Sequence, residues 1–186
     1  MNAEIDVSNV RLETERIVLR PFALSDLDDL FAYACVDGVG QAAGWSPHKT
    51  KEESLAVLQM FLREKKVFAI VHKRDGKVIG SLGIEELSDP VMLAYPEKGR
   101  ELGYVLSKDY WGQGLMPESV KAVISYLFET LRLDFVSCAH FLSNDRSRRV
   151  IEKCGFTFER IIEYHTNIGA TEQTKSYLPR NPDAHA

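Results

Sequence analysis

Apolar residues recur along this chain in two rhythms, one near two residues that predicts strands and one near 3.6 that predicts helices. "RIVLRPF", Arg16 to Phe22, reads as a first strand ended by Pro21. Leu27, Leu30, Phe31 and Ala34 then share one helical face, with Ser25 as the expected N-cap. Asp26, Asp28 and Asp29 crowd that first turn, where acids suit the positive end of the helix dipole. Thr50, with Glu53 three residues later, signals a capping box and a helix running to about Lys65. "VFAIVHK" and "VIGSLGIEEL" flank "RDGK", and an Asp-Gly pair between β-rich runs predicts a hairpin. "GRELGYVLS" is a further strand, and Val120, Val123, Ile124, Leu127 and Leu131 stripe a helix after it. "DFVSCAHF" predicts another strand and "NDRSRRVIEKCGF" a short helix closed by Gly155. From Phe156 to Leu178 two strands enclose "NIGATEQ", whereas "VDGVGQAAGWSPHK" carries no clear period.

The order βα, αββ, βαβα, ββ predicts one mixed α/β domain over residues 1–186, with a core of about 11–178 and short terminal tails. The strand–helix–strand unit around 101–140 implies a right-handed crossover and a parallel pair. Composition changes little: 45% hydrophobic and 27% charged residues fit a globular chain. A net charge of −4 disfavours nucleic-acid binding, which usually shows a basic footprint. No apolar run reaches transmembrane length and the N-terminus lacks a signal pattern, so no membrane and a cytoplasmic location are expected. Cys35, Cys138 and Cys154 suggest no disulfide framework, and the five histidines no metal-ligand spacing.

"DYWGQGLMPESV", residues 109–120, raises a chemical question, because two glycines precede a proline at the mouth of a helix. Gly112 and Gly114 bare the backbone where free N–H groups and the helix dipole point the same way. Such a turn can cradle phosphate or pyrophosphate; otherwise it is a plain β-to-α connection. Pro117 occupies the third glycine position of a dinucleotide fingerprint, and no Lys-Ser/Thr pair follows as a P-loop requires. Both common nucleotide motifs fail.

The segment "ELGYVLSKDYWGQGLMPESV" resembles the acetyl-CoA signature of the GCN5-related N-acetyltransferases, in the branch of the ribosomal-protein alanine N-acetyltransferases. "LETERIVLRPF", "GWSPHKTKEES" and "SNDRSRRVIEKCGF" are similar to that branch in order and spacing. Trp111 and Met116 depart from the usual first and last positions of the loop. The resemblance implies a single-domain fold with a mixed, mostly antiparallel sheet, a parallel strand–helix–strand core and helices on both faces. It also implies acetyl-CoA as cosubstrate, held by Val105, Leu106, Trp111, Gly112, Gln113, Gly114, Leu115, Met116 and Asn144, with an oxyanion donor on the backbone near Val105 or Leu106.

Acetyl transfer to an amine needs a neutral amine, oxyanion stabilisation and a proton for the departing thiolate. Asn144 and Ser147 match the family's N-x-x-S pattern and share a helix face, which makes Ser147 the leaving-group candidate. Tyr104 and Tyr110 are rivals. Glu101 is the candidate base, and Trp45, His48, Glu163 and His165 fall where the family places acceptor loops, while His140 reads as structural. The expected acceptor is a protein N-terminal amine or a small-molecule amine, with lysine, polyamine and antibiotic acceptors as alternatives. A CoA-binding regulatory module without turnover is another alternative. Monomer and homodimer are equally compatible with the sequence.

Overall fold

A computed structural model of the chain describes residues 1–167 and 169–183. Ile168, in the expected "NIGATEQ" turn, and the last three residues of the expected 1–186 domain lie outside the described residues. The elements in chain order are β1 (Leu12–Glu13), β2 (Ile17–Pro21), α1 (Leu27–Ala34), α2 (Lys51–Glu64), β3 (Val67–His72), β4 (Lys77–Glu85) and α3 (Pro90–Leu93). Then follow β5 (Gly99–Leu106), α4 (Leu115–Ser125), β6 (Phe135–Phe141), α5 (Asp145–Lys153), β7 (Thr157–His165) and β8 (Thr171–Leu178). Among the described residues eight strands form one sheet in the order β1-β2-β3-β4-β5-β6-β8-β7. Neighbours run antiparallel except β5 and β6, the pair joined through α4.

Strand alternation sends Val67 and Ala69 of β3 to one face and Phe68 and Ile70 to the other. The first face packs with Leu30 and Ala34 of α1 and Leu58 of α2. The second packs with Val120 and Val123 of α4 and Ile151 of α5. Helices therefore cover both faces, as expected of the fold class. Beyond Ser125 the α4 stripe continues through a π-helical turn, Tyr126–Thr130, which keeps Leu127 in the core.

Three local expectations are corrected. Ser25 does not cap α1: Leu24–Asp26 form a 3-10 turn, and the helix opens behind Asp26. Asp26 is drawn inward instead, because Arg20 donates to both its oxygens at 2.7 and 2.8 Å and the Ala23 N–H donates at 2.8 Å. Thr50 caps α2 by accepting from the Glu53 N–H, but the Glu53 carboxylate reaches the Lys49 N–H rather than completing the box. The first ten residues are not a loose tail. Val7 is buried in the main core, and the terminal amine donates to the carbonyls of Tyr95 and Glu97.

Candidate active site

The parallel pair is short. β5 and β6 are in register only from Gly99–Leu102 to Phe135–Cys138, yet β5 continues to Leu106 and β6 to Phe141. Each stays paired on its outer side, β5 with β4 and β6 with β8, so the sheet opens into a notch at the carboxyl ends of the two strands. A cleft of about 620 Å³ runs through this notch. Such a position is where open α/β sheets commonly bind ligands. The Ser107 N–H is bonded to the Ile79 carbonyl on β4. Strand alternation then turns the Leu106 N–H and C=O the other way, into the notch. The Leu106 carbonyl accepts the Trp111 indole N–H at 2.8 Å. Of the two expected oxyanion donors, the Leu106 N–H therefore faces the opening and the Val105 N–H faces β4.

The glycine loop closes one end. Gly112 and Gly114 adopt φ of +77° and +79°, a left-handed backbone that favours glycine, and Gly114 is the N-cap of α4. Leu115 and Met116 are buried yet line the cleft, at the first helical turn with its backbone N–H groups. Those N–H groups have no acceptor within the helix. Gln113 sits outside the cleft lining, donating Nε2 to the Asp109 carbonyl at 3.0 Å. Trp111 is covered by the Arg146 guanidinium, 4.0 Å from its ring centroid.

α5 forms the adjacent wall. The Asn144 Oδ1 accepts from the Ser147 N–H at 3.1 Å, and Nδ2 donates to the Ala42 carbonyl, tying the helix start to the 41–43 turn. Asn144 is thus both a cap and part of the cleft. The Ser147 Oγ lies 3.0 Å from the Tyr104 hydroxyl, and both residues line the cleft. Burial raises the Tyr104 phenol well above its ordinary range. Arg146, Arg149 and Lys153 repeat at helical spacing and bring positive charge to the same wall.

Glu101, Phe141 and Tyr164 also line the cleft, as do Val39, Ala42 and Ala43. Phe141 and Tyr164 meet edge to face at 5.9 Å. Glu101 Oε2 accepts from the Ser88 hydroxyl at 2.8 Å and the Ser88 N–H at 3.1 Å. Burial pushes its carboxyl above the usual range, against the pull of those two hydrogen bonds.

The profile described as "Acetyltransferase (GNAT) domain" matches residues 16–157, most of the chain. The chain belongs to the GNAT acetyltransferase family. A Bacillus subtilis (strain 168) protein named uncharacterized N-acetyltransferase YoaA is 28% identical over 172 residues, covering 89% of this chain and 94% of its own. A GNAT-family acetyltransferase structure from Bacillus anthracis superposes with a TM-score of 0.82 at 18% identity, over 94% of this chain and all of the other. The ribosomal-protein-S5-alanine acetyltransferase of Vibrio fischeri gives 0.72 at 23% identity, over 96% and 100%. This GNAT chain is an acetyltransferase, an enzyme of a family that uses acetyl-CoA.

Of the residues singled out in sequence, the GNAT fold gathers Glu101, Val105, Leu106, Trp111, Gly112, Gly114, Leu115, Met116, Asn144 and Ser147 around one cleft. It leaves Gln113, Trp45, His48, Glu163 and His165 out of the lining. His48 shares a 2.7 Å hydrogen bond with Ser54 and packs against Trp45, so the pair braces the 36–49 segment. Glu163 and His165 alternate with Tyr164 on β7, and a period of two turns them from the side that Tyr164 shares with the cleft. His140 lines the cleft but is satisfied: Nδ1 donates to the Phe141 carbonyl and Nε2 accepts from the Tyr177 hydroxyl. Tyr110 also lines the cleft, with its hydroxyl donated to Asp75 at 2.7 Å, which raises the phenol to about 12. The basic face of α5 is an addition from the structure, and its i, i+3, i+7 spacing is the signal for it in "NDRSRRVIEK".

Among the described residues, no cluster of His, Cys, Asp or Glu is placed to hold a metal ion, and no helix is long and apolar enough to cross a membrane. The three cysteines are free thiols.

Proposed function

We propose that this enzyme transfers the acetyl group of acetyl-CoA directly to a primary amine, with peptide α-amines or low-pKa small amines as acceptors. The observation that carries the reading is the β5–β6 notch, whose cleft is lined by Glu101, Leu106 and Ser147. The glycine loop and the Arg146, Arg149 and Lys153 face suit the phosphates of acetyl-CoA, by backbone N–H groups and by charge. The Leu106 N–H is the donor for the carbonyl oxygen as it gains charge. Ser147 donates a hydrogen bond to the departing thiolate, which leaves as the anion or takes its proton from water. Glu101, whose burial brings its pKa nearer neutrality, takes the proton released by the attacking nitrogen, directly or through water.

The acceptor preference rests on amine chemistry. A peptide α-amine has a pKa near ~7.7–8.0 and a lysine amine one near ~10.4, so far more of the α-amine is neutral at pH 7. A site whose cleft offers one carboxylate and a satisfied histidine suits the amine that needs least help. Similarity to an enzyme named for acetylating a ribosomal-protein alanine points the same way. The test is thiol release from acetyl-CoA across short peptides, blocked peptides and small amines, with mass spectrometry of the products. With an α-amine, kcat/KM should rise with pH and level off near the amine's pKa. Acetylation concentrated on internal lysines would overturn the acceptor assignment. Acetyl-CoA binding without thiol release for any amine would instead make the protein a CoA-binding module.

A further inference from the structure

We propose that Tyr104 is a positioning residue that aims the Ser147 hydroxyl into the cleft by donating its own O–H to the Ser147 Oγ. The inference rests on the assignment of Ser147 to the leaving group. At 3.0 Å, either oxygen of this pair could be the donor, and the direction decides what Ser147 can do. A serine hydroxyl has one proton. If Ser147 donated to Tyr104, that proton would be spent inside the wall and none would face the thiolate.

Three features fix the direction. The alternative acceptor for the phenol, the Ser147 carbonyl, lies 3.4 Å away, at the limit of hydrogen-bond reach. That carbonyl also belongs to the first turn of α5, where carbonyls accept from the next turn. The Ser147 N–H is already taken by Asn144, so the serine backbone and side chain are pinned on the other side. The other polar neighbours of the phenol are the Cys138 and Cys154 thiols, which are weak acceptors. The Ser147 Oγ is therefore the best acceptor the buried phenol has. Burial keeps the phenol protonated at working pH, so it remains a donor and is not a proton source. Tyr104 thus acts through Ser147 and does not touch the transferred atoms.

The test is a double-mutant cycle between Tyr104→Phe and Ser147→Ala, read as kcat and as acetyl-CoA Kd. Removing one directing hydrogen bond should lower kcat about tenfold while Kd stays within about twofold. In the Ser147→Ala background, Tyr104→Phe should cost nothing further. An equal loss in both backgrounds, or a loss confined to Kd, overturns the proposal and leaves the role of Ser147 standing. A Ser147→Ala enzyme at full rate overturns the Ser147 assignment itself, and this inference with it. Should Tyr104→Phe not fold, 3-fluorotyrosine placed at position 104 keeps the ring and makes the phenol a better donor and a poorer acceptor. A kcat at or above the wild-type value supports donation by Tyr104; a lower value overturns it.

Discussion

Arg16 grips Glu118 across the outer side of the glycine loop, with Nε 2.8 Å and Nη2 2.6 Å from Oε2, while Nη1 donates to the Gln113 carbonyl at 2.9 Å. Thr14 and the Arg16 N–H complete the carboxylate's partners through Oε1. One guanidinium at the start of β2 therefore fixes both the loop and the first turn of α4. The ion pair is partly exposed, so its direct contribution to stability is under about 1 kcal/mol. Arg16→Ala should leave the melting temperature nearly unchanged and weaken acetyl-CoA binding about fivefold, the cost of about 1 kcal/mol in loop order. Isothermal titration and a thermal melt on the same sample check both halves.

Gly114→Val should weaken acetyl-CoA affinity at least tenfold, although the cause differs from simple blockage of the cradle. A Cβ built on Gly114 meets Arg16 Nη2 at 3.6 Å, on the latch side of the loop. The penalty comes from forcing a β-branched residue to φ near +79°, about 1–2 kcal/mol, since the contact with Arg16 is an ordinary one. Unchanged affinity in the folded variant would exclude the loop as the phosphate site.

Glu101→Gln separates stability from activity. A carboxyl whose pKa is raised on folding keeps a proton that the unfolded chain has already lost, between the ordinary carboxylate range and its folded value. Its contribution to stability therefore falls as pH rises through that window and is a net cost above it. Glu101→Gln removes that cost while retaining an acceptor for Ser88. The variant should melt higher than the wild type at pH 8, with the difference vanishing near pH 4, and lose roughly 10²-fold in kcat. Melts across pH, paired with initial rates, give both readings.

Arg149→Ala combined with Lys153→Ala should reduce acetyl-CoA affinity about tenfold and flatten its dependence on salt, because two of the three cations on that wall are removed. Arg148 faces away and pairs with Asp145 and Glu152 at 3.1 and 2.9 Å, so Arg148→Ala is the matched control, with little change. Binding isotherms at two ionic strengths separate the cases.

Much of this was legible in the residues. The hairpin at Asp75-Gly76, the α4 stripe and the Gly155 helix stop are local signals, each decided by backbone geometry or one apolar face. The two-residue β1 and four-residue α3 were not, because elements that short carry no period. The glycine-loop wall of the cleft was readable because glycines and a proline leave a mark in sequence. The positions of Trp45 and His48 were not: both look chemical, and only the packing places them outside the cleft lining and against each other. Nothing in the sequence distinguishes Tyr164 from Glu163 and His165, since which face of β7 meets the cleft depends on the sheet's pairing.

Where β5 and β6 part, the molecule carries two strand edges in its interior that do not pair with each other, although the Leu106 and Phe141 carbonyls already accept from Trp111 and His140. Outer edges are usually guarded by charge, bulges or short length because unpaired N–H and C=O groups invite another chain. These inner edges are shielded instead by the walls of the cleft, and an extended molecule with amide groups can pair there as an added strand. On that view the protein is an incomplete sheet until it is loaded. Ligand binding then stabilises by mass action, about 2.7 kcal/mol at a concentration of 100 Kd. The cellular supply of cosubstrate would set how long each copy survives proteolysis, as well as how fast it works.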